Sequence, residues 1–365
     1  GAFFVDFLTI LLFIIGLALL VGGAEYLVRG AARLAEIAGI SPLVIGLTVV
    51  AMGTSAPELA VSLKASFAGQ SEIALGNVVG SNIANILLII GVAALAAPLI
   101  VNRQLIRLDL PVMIGVSFLA YFMARDGLIG TLDGAVLFGG LAVYTTYLIW
   151  KSVRDKTGRP EVEKGSAGER SRKGVFVSVV YVVAGFVTLA LGSRWLVDSA
   201  VAIATHFGVS KTIIGMTIVA IGTSLPEAAT SVIASVRGER DIAVGNAVGS
   251  NIFNIMAVLG LTGLVSSHGV AASPEALQFY FPVMIVVAVV CLPVFFSGHL
   301  ISRIEGGVFL VYYAGYLVYL MLDARSSALL PSINAAMLWV VFPLTALYIL
   351  VPAVKAFRAG SIEER

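Results

Sequence analysis

The sequence predicts an all-α polytopic membrane protein: two inverted-topology five-helix repeats followed by an extra C-terminal transmembrane helix. Three observations predict it. Of 365 residues, 59% are apolar and only 12% charged, against about 25% charged in a soluble domain. The apolar residues run in continuous stretches near the length, about 20 residues, that a helix needs to cross a bilayer. The second half of the chain repeats the first at an offset of 169 residues. The same composition excludes other classes. A single cysteine, Cys291, rules out an intrachain disulfide or a Cys-rich metal centre, and His206, His268 and His299 are too scattered for a zinc site. A net charge of +2 gives no footing for nucleic acid. The surroundings this chain asks for are a lipid bilayer.

Candidate spans fall at 3–23, 41–67, 72–98, 108–124, 131–150, 174–197, 210–236, 241–265, 278–297, 303–322 and 334–354. The runs lack the ten-residue alternation of an outer-membrane barrel, so they read as helices. Asp6 near the start of the first run, and no basic segment ahead of it, set it apart from a signal peptide. Basic residues fix the orientation. The stretch 151–173 carries eight Lys/Arg and reads as a cytoplasmic connector between residues 1–150 and 174–325, the two repeats. Arg29, Arg33, Arg103, Arg107, Arg237, Arg240 and Arg303 fall on the same side. This places the N-terminus outside and the C-terminus, in the appended segment 326–365, in the cytoplasm of a cell whose plasma or inner membrane holds the protein.

The repeat is not an accident of apolar composition. GLTVVAMGTSAPELAVSLKAS (46–66) aligns without a gap with GMTIVAIGTSLPEAATSVIAS (215–235), and IALGNVVGSNIANI (73–86) with IAVGNAVGSNIFNI (242–255). About 35 of 76 positions from Gly16 are identical, and they include Pro, Glu, Asn, Ser and Thr. Five spans separate equivalent positions. Five is odd, so the second half enters the membrane upside down, an arrangement that secondary transporters use with the substrate site at the repeat interface.

Four polar patches interrupt these apolar helices. Gly53-Thr54-Ser55-Ala56-Pro57-Glu58 and Gly222-Thr223-Ser224-Leu225-Pro226-Glu227 are equivalent, as are Gly76-Asn77/Gly80-Ser81-Asn82/Asn85 and Gly245-Asn246/Gly249-Ser250-Asn251/Asn254. A carboxylate in mid-membrane marks function by default. Lys64 could pair with Glu58, but Glu227 has no such neighbour in its span, and one explanation should serve both: a bound cation. Pro57 and Pro226 withhold the amide hydrogen that the carbonyls of Gly53 and Gly222 would accept, and the neighbouring carbonyls of Ala51 and Ala220 can turn with them. All the candidate ligands are oxygens, which suits Ca²⁺ or Na⁺ rather than softer metals. Asn85 and Asn254 each fall four residues after a serine, on one helix face. The GxxxG pairs Gly76/Gly80 and Gly245/Gly249 read as close helix packing.

These motifs resemble the two alpha-repeats of the sodium/calcium exchangers, within the calcium/cation antiporter superfamily. The resemblance covers about 16–124 and 185–322. It implies ten core helices, with the first and sixth sliding across a core of the second, third, seventh and eighth. It also implies that Glu58 and Glu227 ligate both ions, and that the backbone carbonyls of Thr54 and Thr223 complete the Ca²⁺ site. Ser55, Ser81 and the Ala51 carbonyl would form one Na⁺ site; Ser224, Ser250 and the Ala220 carbonyl the other. Asn85 matches the central amide. Asn254 stands where the potassium-dependent branch has Asp, which argues against a K⁺ requirement. The function implied is electrogenic, K⁺-independent exchange of Na⁺ for Ca²⁺ by alternating access, with both ions as substrates, no resident cofactor and no enzymatic activity. A proton/calcium antiporter is the alternative, although Gly80 and Gly249 replace that branch's Glu; a cation channel is a weaker one. The pairs Glu25/Arg29 and Arg194/Asp198 read as local ion pairs at helix ends, and Asp109, Asp126 and Asp133 as solvated.

Overall fold

The computed structural model describes residues 7–154, 172–207, 220–296 and 298–324. Most of the 151–173 connector, the start of the span at 210–236 and the appended span 334–354 lie outside them. The elements are α1 (Phe7–Ala38), α2 (Pro42–Thr54), α3 (Ala56–Phe67), α4 (Ser71–Ala96), α5 (Leu105–Asp126) and α6 (Thr131–Arg154). The second half supplies α7 (Arg172–His206), α8 (Ala220–Gly222), α9 (Leu225–Val236), α10 (Arg240–Val265), α11 (Ala276–Phe296) and α12 (Arg303–Ala324). Among the described residues, eight helices are long and apolar enough to cross a membrane, and α2 with α3 makes a ninth span bent by 43°. The protein is an integral, multi-pass, all-α membrane protein.

Burial sorts the helices. The most apolar windows of α4 and α10 are 78% buried, against 17–28% for α1, α6, α7 and α12, so the two helices bearing the GN–GSN–N patches form the centre. Glycine lets them sit there. A Cβ on Gly249 would lie 2.7 Å from Leu47 Cα, and one on Gly245 2.9 Å from the Leu43 carbonyl, so α10 packs backbone-to-backbone on α2. The equivalent partner of Gly76 and Gly80, at 212–219, is outside the described residues.

Four two-residue strands stitch the loops and prove the inversion. Strand β1 (Leu99–Ile100) follows α4, β2 (Leu128–Ile129) follows α5, β3 (Val270–Ala271) follows α10 and β4 (Leu300–Ile301) follows α11. The 22 residues of α5 rise about 33 Å, so β1 and β2 lie on opposite faces of the membrane. Yet β3 pairs antiparallel with β2, and β4 with β1. Helices α4 and α10 therefore finish on opposite faces. The two halves are upside down to each other.

The long helices α1 and α7 pair along a glycine seam of period seven, with Gly16 and Gly23 facing Gly192 and Gly185. A Cβ on Gly23 would come within 2.6 Å of Thr188 Oγ1 and 2.8 Å of Leu189 N; one on Gly192 would meet Leu20 N at 2.7 Å.

One sequence expectation fails in the core. Asp109 is fully buried instead of solvated, accepting a 2.9 Å hydrogen bond from Tyr144 Oη. Its π-helical turn, Leu105–Asp109, aims it inward toward a tyrosine 35 residues away. Asp126 is exposed and Asp133 half-buried.

Candidate ion site between the repeats

The two Thr-Ser-X-Pro-Glu segments form matching breaks. Ser55 (φ −82°, ψ 4°) and Ser224 (φ −87°, ψ 6°) adopt the same non-helical conformation. Each proline then occupies the first turn of the following helix, where its missing N–H is no loss. Glu58 and Glu227 sit in those first turns, where the helix dipole favours negative charge. Gly53 makes room for a neighbour: a Cβ there would lie 1.9 Å from the Phe186 ring of α7, which would have to move.

Both carboxylates are buried, Glu58 at 0% and Glu227 at 1% exposure. Their partners come from the opposite repeat. Ser55 Oγ donates to Glu227 Oε1 at 3.0 Å, and Ser224 Oγ to Glu58 Oε1 at 3.5 Å. Thr54 lies beside Glu227 and Thr223 beside Glu58 in the same crossed pattern. Among the described residues no Lys or Arg pairs with either carboxylate, and Lys64 is exposed. Two bare carboxylates in a dry interior carry a desolvation penalty of several kcal/mol each. A proton or a bound cation would relieve that penalty.

Of the remaining candidate ligands, Asn85, Asn254, Ser81 and Ser250 are buried as well. Asn85 and Asn254, 1% and 0% exposed, each begin a π-helical segment, Asn85–Ile90 and Asn254–Leu259. The wider turn re-aims the side chain, a feature common at functional sites. Five oxygens of this set are buried with no hydrogen-bond donor among the described residues: Glu58 Oε2, Glu227 Oε2, Asn85 Oδ1, Asn254 Oδ1 and Ser250 Oγ. Buried acceptors in native proteins are otherwise almost always satisfied. Ser81 Oγ instead donates to the Asn77 carbonyl at 2.6 Å. Among the described residues no three His, Cys, Asp or Glu side chains gather. The donor set is two carboxylates supplemented by amide and hydroxyl oxygens, which fits a hard cation.

The backbone carbonyls are less free than the sequence suggests. The Ala51 carbonyl accepts Ser55 N–H at 3.0 Å and Thr54 Oγ1 at 3.3 Å, remaining in the helical ladder. In the second break Ser224 N–H reaches only to Ile221, at 3.1 Å, beyond Ala220. The Gly222 carbonyl released by Pro226 is taken by Ser193 Oγ of α7 at 2.8 Å. Residue 24, equivalent to Ser193, is an alanine, so the first half has no counterpart.

Four asparagines of the polar patches, given no role by the sequence, turn out to hold the frame. Asn77 Nδ2 donates to the Glu58 carbonyl (3.1 Å) and Ser62 Oγ (3.0 Å); Asn246 Nδ2 does the same to Glu227 (3.2 Å) and Ser231 (3.0 Å). Each ties a GN helix to the turn bearing a carboxylate. Asn82 and Asn251 bridge α4 and α10 directly.

A search against known proteins adds the family. The model of the family described as "Sodium/calcium exchanger protein" matches residues 8–150 and 177–322. The chain belongs to the sodium/calcium exchanger family. The family is one of transporters, not enzymes. This exchanger is 40% identical to the inner membrane protein YrbG of Escherichia coli over 76% of its own length and 86% of that protein's. It is 34% identical to the sodium/calcium exchanger MaX1 of Methanosarcina acetivorans, covering 87% and 98%. Among solved structures it superposes on the sodium-calcium exchanger NCX_Mj soaked with zero Na⁺ and Ca²⁺, with a TM-score of 0.73 and 30% identity. That match covers 86% of this chain and 99% of the other.

The exchanger's two halves are not in equivalent states. Glu25 of α1 pairs with Arg29 and also with Arg237, at the end of α9, whose Nε donates to Glu25 Oε2 at 2.9 Å. The local pair read from the sequence is thus part of a bridge between two elements. Ser235 Oγ of α9 shares its one proton between the carbonyls of Ala93 (2.9 Å) in α4 and Ala97 (3.0 Å) just past its end. Its equivalent, Ser66 Oγ, is buried and has no such partner among the described residues. Arg194 and Asp198, opposite in sign to Glu25 and Arg29, are 79% and 71% exposed at 3.8 Å. Among the described residues, the contacts that latch one end of the molecule have no equivalent at the other.

Proposed function

We propose that this protein exchanges Na⁺ for Ca²⁺ across the membrane, by alternating access to one site between Glu58 and Glu227. The observation that carries this reading is that two buried carboxylates, Glu58 and Glu227, supplied by the two copies of one motif, are each served by the serine of the opposite repeat, while five oxygens of the candidate set have no hydrogen-bond partner among the described residues. Glu58, Glu227, Asn85 and Asn254, with the Thr54 and Thr223 carbonyls, hold Ca²⁺. Ser55, Ser81 and the Ala51 carbonyl on one side, and Ser224, Ser250 and the Ala220 carbonyl on the other, hold Na⁺. Ala51's carbonyl, still in its helix, is freed when α2 bends further.

Two carboxylates contribute −2. One Ca²⁺ cancels that and three Na⁺ exceed it by one, so the cycle moves charge. Neutral Asn254 supplies no further carboxylate for K⁺, and exchange is K⁺-independent. The α1–α7 pair, joined by its glycine seam, moves as one unit over the α4–α10 centre. Basic residues put the Glu25–Arg237 end in the cytoplasm, so this conformation is closed inward and the N-terminus lies outside. Uptake of ⁴⁵Ca²⁺ into proteoliposomes under imposed Na⁺, K⁺ or H⁺ gradients tests the reading. Flux driven by Na⁺, abolished in Glu58→Gln and Glu227→Gln, supports it; flux blind to Na⁺ and driven by a pH gradient replaces it with proton/calcium antiport.

A further inference from the structure

We infer that Asn82 and Asn251 are positioning residues: a crossed amide clamp that forces the Asn254 and Asn85 side chains to present oxygen, not nitrogen, to the ion. The argument starts from the backbone. A carbonyl oxygen only accepts hydrogen bonds. Asn82 Nδ2 donates to the Asn251 carbonyl at 3.2 Å, and Asn251 Nδ2 to the Asn82 carbonyl at 3.2 Å. Flipping either amide would set oxygen against oxygen, so both orientations are fixed. The Oδ1 atom of each is then left on the far side of its side chain, as an acceptor.

Each of those acceptors faces a candidate ligand from the opposite repeat. Asn254 Nδ2 donates to Asn82 Oδ1 at 3.1 Å, and Asn85 Nδ2 to Asn251 Oδ1 at 2.9 Å. All four residues are at most 2% exposed, so water does not compete. With their nitrogens committed, Asn85 Oδ1 and Asn254 Oδ1 are the two amide atoms left over, and both are buried without a donor. The polarity of the site thus originates in two main-chain carbonyls and passes through one side chain each. The clamp also specifies an amide at both positions. A carboxylate at 254 or 85 would meet the Oδ1 of Asn82 or Asn251 acceptor to acceptor, so this frame holds the site at two carboxylates.

The inference rests on the proposal that Asn85 and Asn254 ligate Ca²⁺. Its test is equilibrium ⁴⁵Ca²⁺ binding to purified, detergent-solubilised full-length protein, with the ion-free melting temperature measured in parallel. Asn82→Leu is expected to raise the Ca²⁺ midpoint about tenfold, as loss of one oriented amide ligand, near 1.4 kcal/mol, requires. The discriminating readout is a mutant cycle. In an Asn254→Ala background Asn82→Leu should change the midpoint less than twofold, while in an Asn85→Ala background it should keep its full effect. Asn251→Leu should show the reverse pattern, and it serves as the test if Asn82→Leu does not assemble. Equal effects in both backgrounds, or a lowered melting temperature with an unchanged midpoint, would overturn the clamp. Wild-type protein that binds Ca²⁺ but shows no Na⁺-driven flux would count against the exchange reading alone.

Discussion

Ser55 Oγ lies 3.0 Å from Glu227 Oε1, whereas its symmetry-related counterpart, Ser224 Oγ, lies 3.5 Å from Glu58 Oε1. The same motif is therefore held more tightly in one direction than in the other. Neither carboxylate is served by the serine of its own repeat, so the site exists only where both halves meet.

Removing one charge from the pair should cripple the site. Losing one member of a buried charged set costs roughly 3–5 kcal/mol, so Glu58→Gln and Glu227→Gln should each lower Ca²⁺ affinity at least about 100-fold. Ser55→Ala removes a hydrogen bond to a charged group, which contributes about 1.5–3 kcal/mol, and should weaken binding more than Ser224→Ala. Titration of ⁴⁵Ca²⁺ binding measures all four, and a larger effect from Ser224→Ala would contradict the 3.0 Å against 3.5 Å distinction.

Exchange should respond to voltage. Under the proposed exchange of three Na⁺ for one Ca²⁺, an inside-negative potential set by K⁺ and valinomycin should accelerate Ca²⁺ extrusion from the negative side. Substituting choline for K⁺ at zero potential should leave the rate within about twofold, the range of a factor below 0.5 kcal/mol. A voltage-insensitive rate would mean a neutral cycle.

The glycine seam should be essential to movement more than to binding. Gly23→Val would drive its side chain into Thr188 and the Leu189 backbone, where even a Cβ lies 2.6–2.8 Å away. Overpacking of this kind costs about 1–3 kcal/mol. We expect a lower melting temperature and a several-fold lower maximal rate, with the Ca²⁺ midpoint nearly unchanged. Gly22→Val on the same helix, where nothing lies within 4 Å, is the control.

The latch between α1 and α9 should set the balance between states. Ser235→Ala deletes the hydroxyl proton shared by the Ala93 and Ala97 carbonyls at the end of α4, and Arg237→Gln the bridge to Glu25. Partly exposed ion pairs contribute about 0–1 kcal/mol, so Ser235→Ala should have the larger effect. Amide hydrogen exchange over 231–236 should speed up in both variants; protection unchanged from wild type would show that these contacts do not hold the closed end.

Asp109 supplies a test remote from the site. Tyr144→Phe leaves its buried carboxyl without its donor and should cost about 1–3 kcal/mol, whereas adding Asp109→Leu should recover much of the loss. Calorimetry or fluorescence melting of the single and double variants decides it.

Much of this was legible in the chain, for definable reasons. Glu58 and Glu227 stood out because a carboxylate in an apolar run is expensive, and Pro57 and Pro226 because a helix cannot bond through them. Both signals are local. Asp109 was misread because its partner Tyr144 is 35 residues away and a π-helical turn, for which the sequence carries no mark, rotates it inward. The Asn82–Asn251 clamp was invisible for a related reason: the direction of each amide is fixed by a main-chain carbonyl 169 residues distant. Arg237 escaped notice as a bridge partner because its equivalent in the first half is Ala68, and the latch therefore breaks the repeat that made everything else readable.

The paired strands β1–β4 and β2–β3 have a consequence for biogenesis. During synthesis the first five spans, α1 to α6, enter the bilayer with β1 and β2 carrying unclaimed backbone groups, and with the side chain of Asn82 facing no second helix. Those debts are settled only when α10 and α11 arrive. The nascent first half is thus an incomplete object waiting for its own copy, and severing the gene at the connector should yield two fragments that mature together or not at all.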